Sequence, residues 1–254
     1  MISRYAVSLN GIDMASLDSR ILLTDISYQV PSIDTETFQT AQRNGGRIQN
    51  RSKDSESVTV NFAIRAYDIS ERQAICQAIC TWAKRGGELQ INDRPGQKLI
   101  CLCKKPPAIT SALKWTDTLE IKFTAYAQPY WQDILPQTIS LSGTSGSGTL
   151  YVPGSAPETM VEVLITAQAQ LTTIELTVGN YTIVLSGLNI ASGNSIMIAY
   201  DDEMIQSIRT GSTSLLDKRS GADDLIAECG ANNSVSFTAN ASCTVQFSAR
   251  GLWE

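Results

Sequence analysis

Five carboxylates, Asp201, Asp202, Glu203, Asp223 and Asp224, and four thiols, Cys76, Cys80, Cys101 and Cys103, are the groups whose types and spacing could support chemistry. Paired carboxylates can serve as acid and base on a glycosidic bond. Contiguous acids in a turn are usually solvated, however, and adjacent side chains on a strand point to opposite faces. The thiols stand four apart on a segment of helical period and two apart on a strand, a pattern that could converge on zinc. Free cysteine also packs as a small hydrophobe, and that is the reading adopted. The chain has no histidine, no activated serine and no phosphate loop, so a second catalytic route is lacking. Oxygen ligands for a loose calcium ion at Asp201 to Glu203 are conceivable but have no further support. We therefore expect no enzyme, no cofactor and no metal site.

The elements that carry these residues divide into two halves of different character. At 254 residues with 43% hydrophobic and 18% charged content, the chain is long enough for two ordinary domains, each with its own core. Residues 1–135 hold 16 Lys and Arg against 14 Asp and Glu, a balance of +2, whereas residues 136–254 hold 4 against 11, a balance of -7. The acidic second half argues against nucleic acid as its ligand, because phosphate neutralisation needs clustered cations. No run approaches the eighteen apolar residues of a membrane span, so no membrane partner is expected. The opening Met1-Ile2-Ser3-Arg4-Tyr5-Ala6-Val7 has no basic-then-apolar signal, which leads us to expect cytosolic synthesis.

In the first half, Val58, Val60, Phe62, Ile64 and Ala66 alternate with polar residues, the period of a half-buried strand. Ser70 with Gln73 reads as a capping box that opens a helix. Ala74, Ile75, Ala78, Ile79, Trp82 and Ala83 then recur at helical spacing until Gly86-Gly87. Trp82 is the expected anchor of that helix, with Ile75, Ile79, Phe62 and Phe123 as its core neighbours. Glu88 to Ile91 and Lys98 to Cys103 read as a hairpin around Asn92-Asp93-Arg94-Pro95-Gly96, with Pro95-Gly96 in a type II turn. A strand over Leu119 to Tyr126 completes an α+β unit with one helix on an antiparallel sheet.

Tyr5 to Leu9 and Ile21 to Val30 are further strand candidates. Between Val30 and Ser57 lies a long polar segment, around Asn44-Gly45-Gly46, that carries Arg43, Arg47, Arg51 and Lys53. Such a segment is either a solvated hairpin or an arm that reaches an adjacent subunit.

Pro136 and the run Ser142-Gly143-Thr144-Ser145-Gly146-Ser147-Gly148 read as a flexible change of composition, which puts the boundary near 133 to 136. The expected domains are 1–133 and 134–254. Beyond the boundary come short alternating segments: Met160 to Ile165, Thr173 to Val178, Tyr181 to Leu185, Ser195 to Tyr200, Met204 to Ile208, Ser234 to Thr238 and Thr244 to Ala249. Turn signals such as Gly179-Asn180 and Asn232-Asn233 separate them, and the pattern implies an antiparallel β-sandwich. The chain as a whole is expected to be mainly β.

The opening Ser8-Leu9-Asn10-Gly11-Ile12-Asp13, the arm, the strand from Val58, the helix with Trp82, Asn92-Asp93-Arg94-Pro95-Gly96 and the end Gln128-Pro129-Tyr130-Trp131 together resemble phage distal tail proteins, in that family's order. The hairpin through Gly179-Asn180, the turn at Asp201-Asp202-Glu203 and the closing Arg250-Gly251-Leu252-Trp253 are similar to the galectin-like sandwich of the family's larger members. The resemblance implies a tail-tube-like ring domain that closes into a homohexamer, with residues 31–57 as a belt between neighbours. It implies a place at the virion tail tip of a phage or prophage, between the tail tube protein and the tip hub or tail-associated protein, with receptor-binding proteins as further partners. Before assembly the chain would lie in the host cytoplasm. The galectin likeness raises a rival reading as a carbohydrate-binding adhesion module, with Tyr151, Tyr181, Tyr200 and Trp253 as stacking platforms. The missing histidine departs from a galectin-type site.

Overall fold

The computed structural model describes residues 5–29, 33–38, 47–53, 55–106, 118–126 and 128–254. The chain falls into two compact units, Met1–Trp131 and Gln132–Glu254. Both are built mainly of antiparallel strands.

The first unit contains β1 (Val7–Leu9), β2 (Ile12–Asp13), β3 (Ile21–Gln29), β4 (Ile33–Phe38), β5 (Arg47–Lys53), β6 (Ser57–Ile64), α1 (Ile69–Ala83), β7 (Gly87–Ile91), β8 (Gln97–Lys105) and β9 (Thr118–Ala125). Its main sheet runs in the order β2-β1-β7-β8-β9-β6-β3. Alternation sets the register: Val58 pairs with Phe123, Val60 with Ile121 and Phe62 with Leu119, so apolar residues meet apolar residues on the inner face. Phe62, Phe123, Ile121 and Ile79 are fully buried there, with Ile75 close to it. Trp82 is only half-buried. Its indole N–H donates to the Ile12 carbonyl at 3.0 Å, and its ring meets Phe123 edge-on at 6.0 Å. The largest fully buried side chain of the unit is instead Trp131.

The helix begins earlier than the Ser70–Gln73 spacing predicts. Asp68 is the N-cap and its Oδ1 accepts from the Glu71 N–H at 2.8 Å, while Glu71 Oε2 accepts from the Tyr67 N–H at 3.1 Å. An ionised carboxylate is a stronger acceptor than a hydroxyl, so the box forms two residues upstream. Ser70 merely donates its hydroxyl to Asp68. After the helix, Arg94 and Gln97 bracket the expected type II turn: the Gln97 N–H reaches the Arg94 carbonyl at 3.3 Å, and Gly96 has the positive φ of 81° that its position requires.

Strands β4 and β5 form a two-stranded sheet of their own. Their first rungs have the same residue sum as the last rungs of the β3–β6 ladder. Gln29 faces Ser57 in the β3–β6 ladder and Ile33 faces Lys53 in the β4–β5 ladder; each pair of numbers sums to 86. The described part of the polar arm is thus an antiparallel pair of strands that lies in the chain between β3, the edge strand of the main sheet, and β6.

The second unit begins with the end of β10 (Trp131–Asp133) and continues through β11 (Gln137–Val152), β12 (Glu158–Ala167), β13 (Leu171–Val178), β14 (Tyr181–Ile190), β15 (Ser195–Tyr200), β16 (Gln206–Thr210), β17 (Thr213–Ser214), β18 (Arg219–Gly221), β19 (Ile226–Glu228), β20 (Ala231–Ala249) and β21 (Leu252–Trp253). Two of the predicted strands, Ser234 to Thr238 and Thr244 to Ala249, are halves of the single strand β20. Its first half pairs with β13 and its second half with β12, while β11 runs along its other edge throughout. Opposite the register step at Gly143/Ser145, residues 239–242 of β20 face only Thr144. Both long strands turn there from one layer to the other, which makes a sandwich. Val163, Ile198 and Phe247 of one layer and Ile174, Leu185 and Phe237 of the other share a single core.

This corrects the reading of the Ser/Gly run as a flexible stretch. Residues 142–148 lie inside β11, and the glycines serve packing. A Cβ at Gly148 would stand 2.6 Å from Ile139 Cδ1, and one at Gly146 would stand 2.9 Å from the Phe237 ring. The two halves of β11 fold toward each other, and only residues without side chains leave room for Ile139 and Leu141.

Candidate functional site

The feature that concentrates unusual interactions is the root of the arm. Tyr28 and Gln29 end the outgoing strand; Glu56 and Ser57 begin the returning one. Each is held. The Tyr28 hydroxyl donates to Asp93 Oδ1 at 2.5 Å. Gln29 Oε1 accepts from Ser57 Oγ and from Lys122 Nζ, both at 2.9 Å. The Glu56 carbonyl accepts from the Ala125 N–H at 2.8 Å, and its carboxylate accepts from the Trp131 indole N–H, also at 2.8 Å.

Arg94 joins these groups. Its guanidinium lies 5.1 Å from the centroid of Tyr28 and 4.9 Å from that of Trp131, and the two rings meet each other edge-on at 6.1 Å. Both distances fall within cation–π range, where each contact is worth about 0.5 to 2 kcal/mol according to desolvation. Burial, and then the Asp93 carboxylate, push the Tyr28 phenol well above its ordinary range, so Tyr28 remains a donor at physiological pH. Glu56 and Trp131 are 3% and 0% exposed, an uncommon depth for a carboxylate.

Sequence reasoning did not assign this cluster. The sequence marks Asn92 to Gly96 as a hairpin turn, and both that turn and Tyr130-Trp131 as points of resemblance, without joining them to Tyr28 or Glu56. The available signal was a charged Asp93-Arg94 pair in a turn whose geometry needs only Pro95-Gly96, and a lone Glu56 placed directly before an apolar strand.

Three of the four expected interface residues fall on a described strand of the arm. Arg47, Arg51 and Lys53 lie on β5, at register positions opposite Phe38, Thr35 and Ile33. Arg43 and the Asn44-Gly45-Gly46 turn lie outside the described residues.

The acidic turn is engaged with its own backbone: Asp201 Oδ1 accepts from the N–H groups of Glu203 and Ile205 at 3.0 and 2.9 Å. Asp223 pairs with Arg219 at 2.8 Å, and Asp224 faces Gln206. All six cysteines are free thiols, and among the described residues no three His, Cys, Asp or Glu side chains gather to hold a metal ion. Of the four proposed stacking aromatics, Tyr200 is tied to Gln206 and to the Leu225 N–H, and Trp253 donates to Asp133 Oδ1 at 2.8 Å. Tyr151 and Tyr181 remain exposed, on different strands.

No family model matches the chain, and no curated protein sequence does. Solved structures do match. The Dit protein (gp 19.1) of phage SPP1, described as a paradigm of the hub adsorption apparatus in phages that infect Gram-positive hosts, aligns with a TM-score of 0.72 at 12% identity, over 97% of this chain and 98% of that one. A chain in the structure of the phage P2 baseplate in its activated conformation with Ca aligns at a TM-score of 0.54 and 10% identity, covering 99% of this chain and 98% of that one. With Sr it aligns at 0.53 and 10% identity, over 98% of each. At these identities the likeness is one of fold, and it spans both units.

Proposed function

We propose that the protein is a structural component of a phage or prophage tail tip, a homohexameric ring that joins the tail tube to the tip hub or baseplate and performs no catalytic step. The observation that carries this reading is the likeness of fold to the SPP1 Dit protein along nearly the entire chain. One shared module would say little, because folds host many functions. Two different units in the same order, with an arm between strands of the first, say more.

The arm supplies the physical means of assembly. A ribbon that leaves the edge of one subunit and lies against the next makes a head-to-tail contact, and such contacts close into a ring when the rotation per subunit allows. Arg43, Arg47, Arg51 and Lys53 are the residues assigned to that interface. The partners are then further copies of the chain, the tube protein, the hub and receptor-binding proteins. The site of action is the virion tail tip, reached from the host cytoplasm where the parts are made. The second unit is read as galectin-like.

Mass photometry and negative-stain imaging of the chain alone and with its neighbouring tail components test the proposal. The expected species is a ring of about six times the 27.5 kDa chain mass. A chain that stays monomeric with every tail component present would overturn it. Retention of that monomer on a glycan column would support the adhesion reading, for which Tyr151 and Tyr181 are the remaining platforms.

A further inference from the structure

We propose that Tyr28, Glu56, Asp93, Arg94 and Trp131 form a clamp that fixes the direction in which the arm leaves the first unit, so that the arm is aimed before a partner subunit arrives. The inference rests on the assembly reading above and names the residues that prepare it.

Three observations converge on the clamp. First, its members come from four separate places in the chain and meet only at the arm's root: Tyr28 before the arm, Glu56 after it, Asp93 and Arg94 at the tip of the β7–β8 hairpin, and Trp131 at the last position of the unit. Second, the two legs are held by different chemistry. The outgoing leg is fixed through the Tyr28 hydroxyl on Asp93, the returning leg through the Glu56 carboxylate on the Trp131 indole, and Arg94 lies over both rings. A pull on one leg is therefore opposed through the other. Third, the two described ladders on either side of the root have matching rungs, with Gln29 facing Ser57 in one and Ile33 facing Lys53 in the other.

The type II turn needs Pro95 and Gly96 but places no demand on Asp93 or Arg94. The core likewise needs an aromatic at 131 but no indole N–H. These polar groups exceed what folding the sheet requires, and all of them meet at the arm's root. Fixing the arm in the free subunit lowers the ordering cost of association.

Hydrogen exchange on the full chain, followed at residues 33–38 and 47–53, tests the clamp directly. Arg94→Gln, which removes the cation over both rings, should raise exchange in the arm by about tenfold or more while β6, β9 and the second unit keep their protection. Tyr28→Phe deletes a single hydroxyl, keeps the ring and serves if Arg94→Gln loses protection everywhere; it should act in the same direction. Unchanged arm exchange in Tyr28→Phe and in any folded Arg94→Gln would overturn the clamp, whatever the protein's role. Mixing each variant with tail components separates the two proposals. If wild type forms rings and a variant with a loosened arm forms them equally fast, aiming is overturned and the ring stands. If wild type forms none, the assembly reading fails while the exchange result still decides whether the clamp exists.

Discussion

The indole N–H of Trp131 donates a 2.8 Å hydrogen bond to the carboxylate of Glu56, 75 positions earlier in the chain, at a depth where neither side chain is more than 3% exposed. The last residue of the first unit is thereby tied to the residue that ends the arm. Trp131 fills space and satisfies a buried carboxylate at once, so its two roles can be separated by substitution. Trp131→Ala should cost about 3 to 5 kcal/mol and Trp131→Phe about 1 to 3 kcal/mol, measured by urea unfolding of the whole chain. Trp82→Ala, at a half-buried site, should cost less than Trp131→Ala. The reverse order would show that the helix anchor dominates the core after all.

Gly154 is a second point of high sensitivity. It has a φ of +132°, and a Cβ there would stand 2.2 Å from the backbone oxygen of Leu252. Backbone cannot retreat as a side-chain tip can. Gly154→Ala should therefore destabilise the second unit by at least about 2 kcal/mol, from strain and displacement of β21 together. Gly148→Ala meets the movable side-chain ends of Ile139 at 2.6 Å and Leu141 at 3.3 Å and should cost less. A thermal melt of each variant against wild type checks the ranking.

Asp18 provides a pH test. Its carboxylate takes two side-chain hydrogen bonds from Arg20 and one from the Arg20 N–H, and these lower its pKa from 3.8 to about 2. A carboxyl whose folded pKa is depressed contributes stability above its unfolded pKa and loses it as pH falls through the folded one. Wild type should be more stable than Asp18→Asn at pH 7, by a small margin for so exposed a pair, and the gap should close between about pH 4 and pH 2. A gap that holds constant down to pH 2 would show that geometry rather than charge matters there.

Thiol reactivity should be low in the native state. Burial pushes Cys101 up to about 12 and raises the other five thiols, so little thiolate is present near neutral pH. With a disulfide-exchange reagent at pH 7.5, modification of all six should follow unfolding rather than precede it. A rapidly titrating thiol in the folded chain would refute this.

Periodicity made most of the architecture legible, because β6, β9, α1 and the alternating strands of the second unit each bury one face. What it missed has identifiable causes. The Ser/Gly run of β11 carries no apolar signal, since the space opposite it is already filled by Ile139 and Leu141. Strand β20 looked like two strands because polar residues around Asn240 mark the turn between layers, where Asn240 Oδ1 accepts from the N–H groups of Thr172 and Thr173. The clamp was invisible for a different reason. Its members are spread from position 28 to position 131, and only the folded sheet brings them together.

The antiparallel pairing of β4 with β5 has a practical corollary. With about 3.3 Å of rise per residue, the six residues of β4 give the described ribbon a reach of about 20 Å. Removing two residues from each leg would shorten that reach while returning every remaining side chain to its original face; removing one from a single leg would invert a whole row. The span of the described ribbon is thus adjustable in matched rungs.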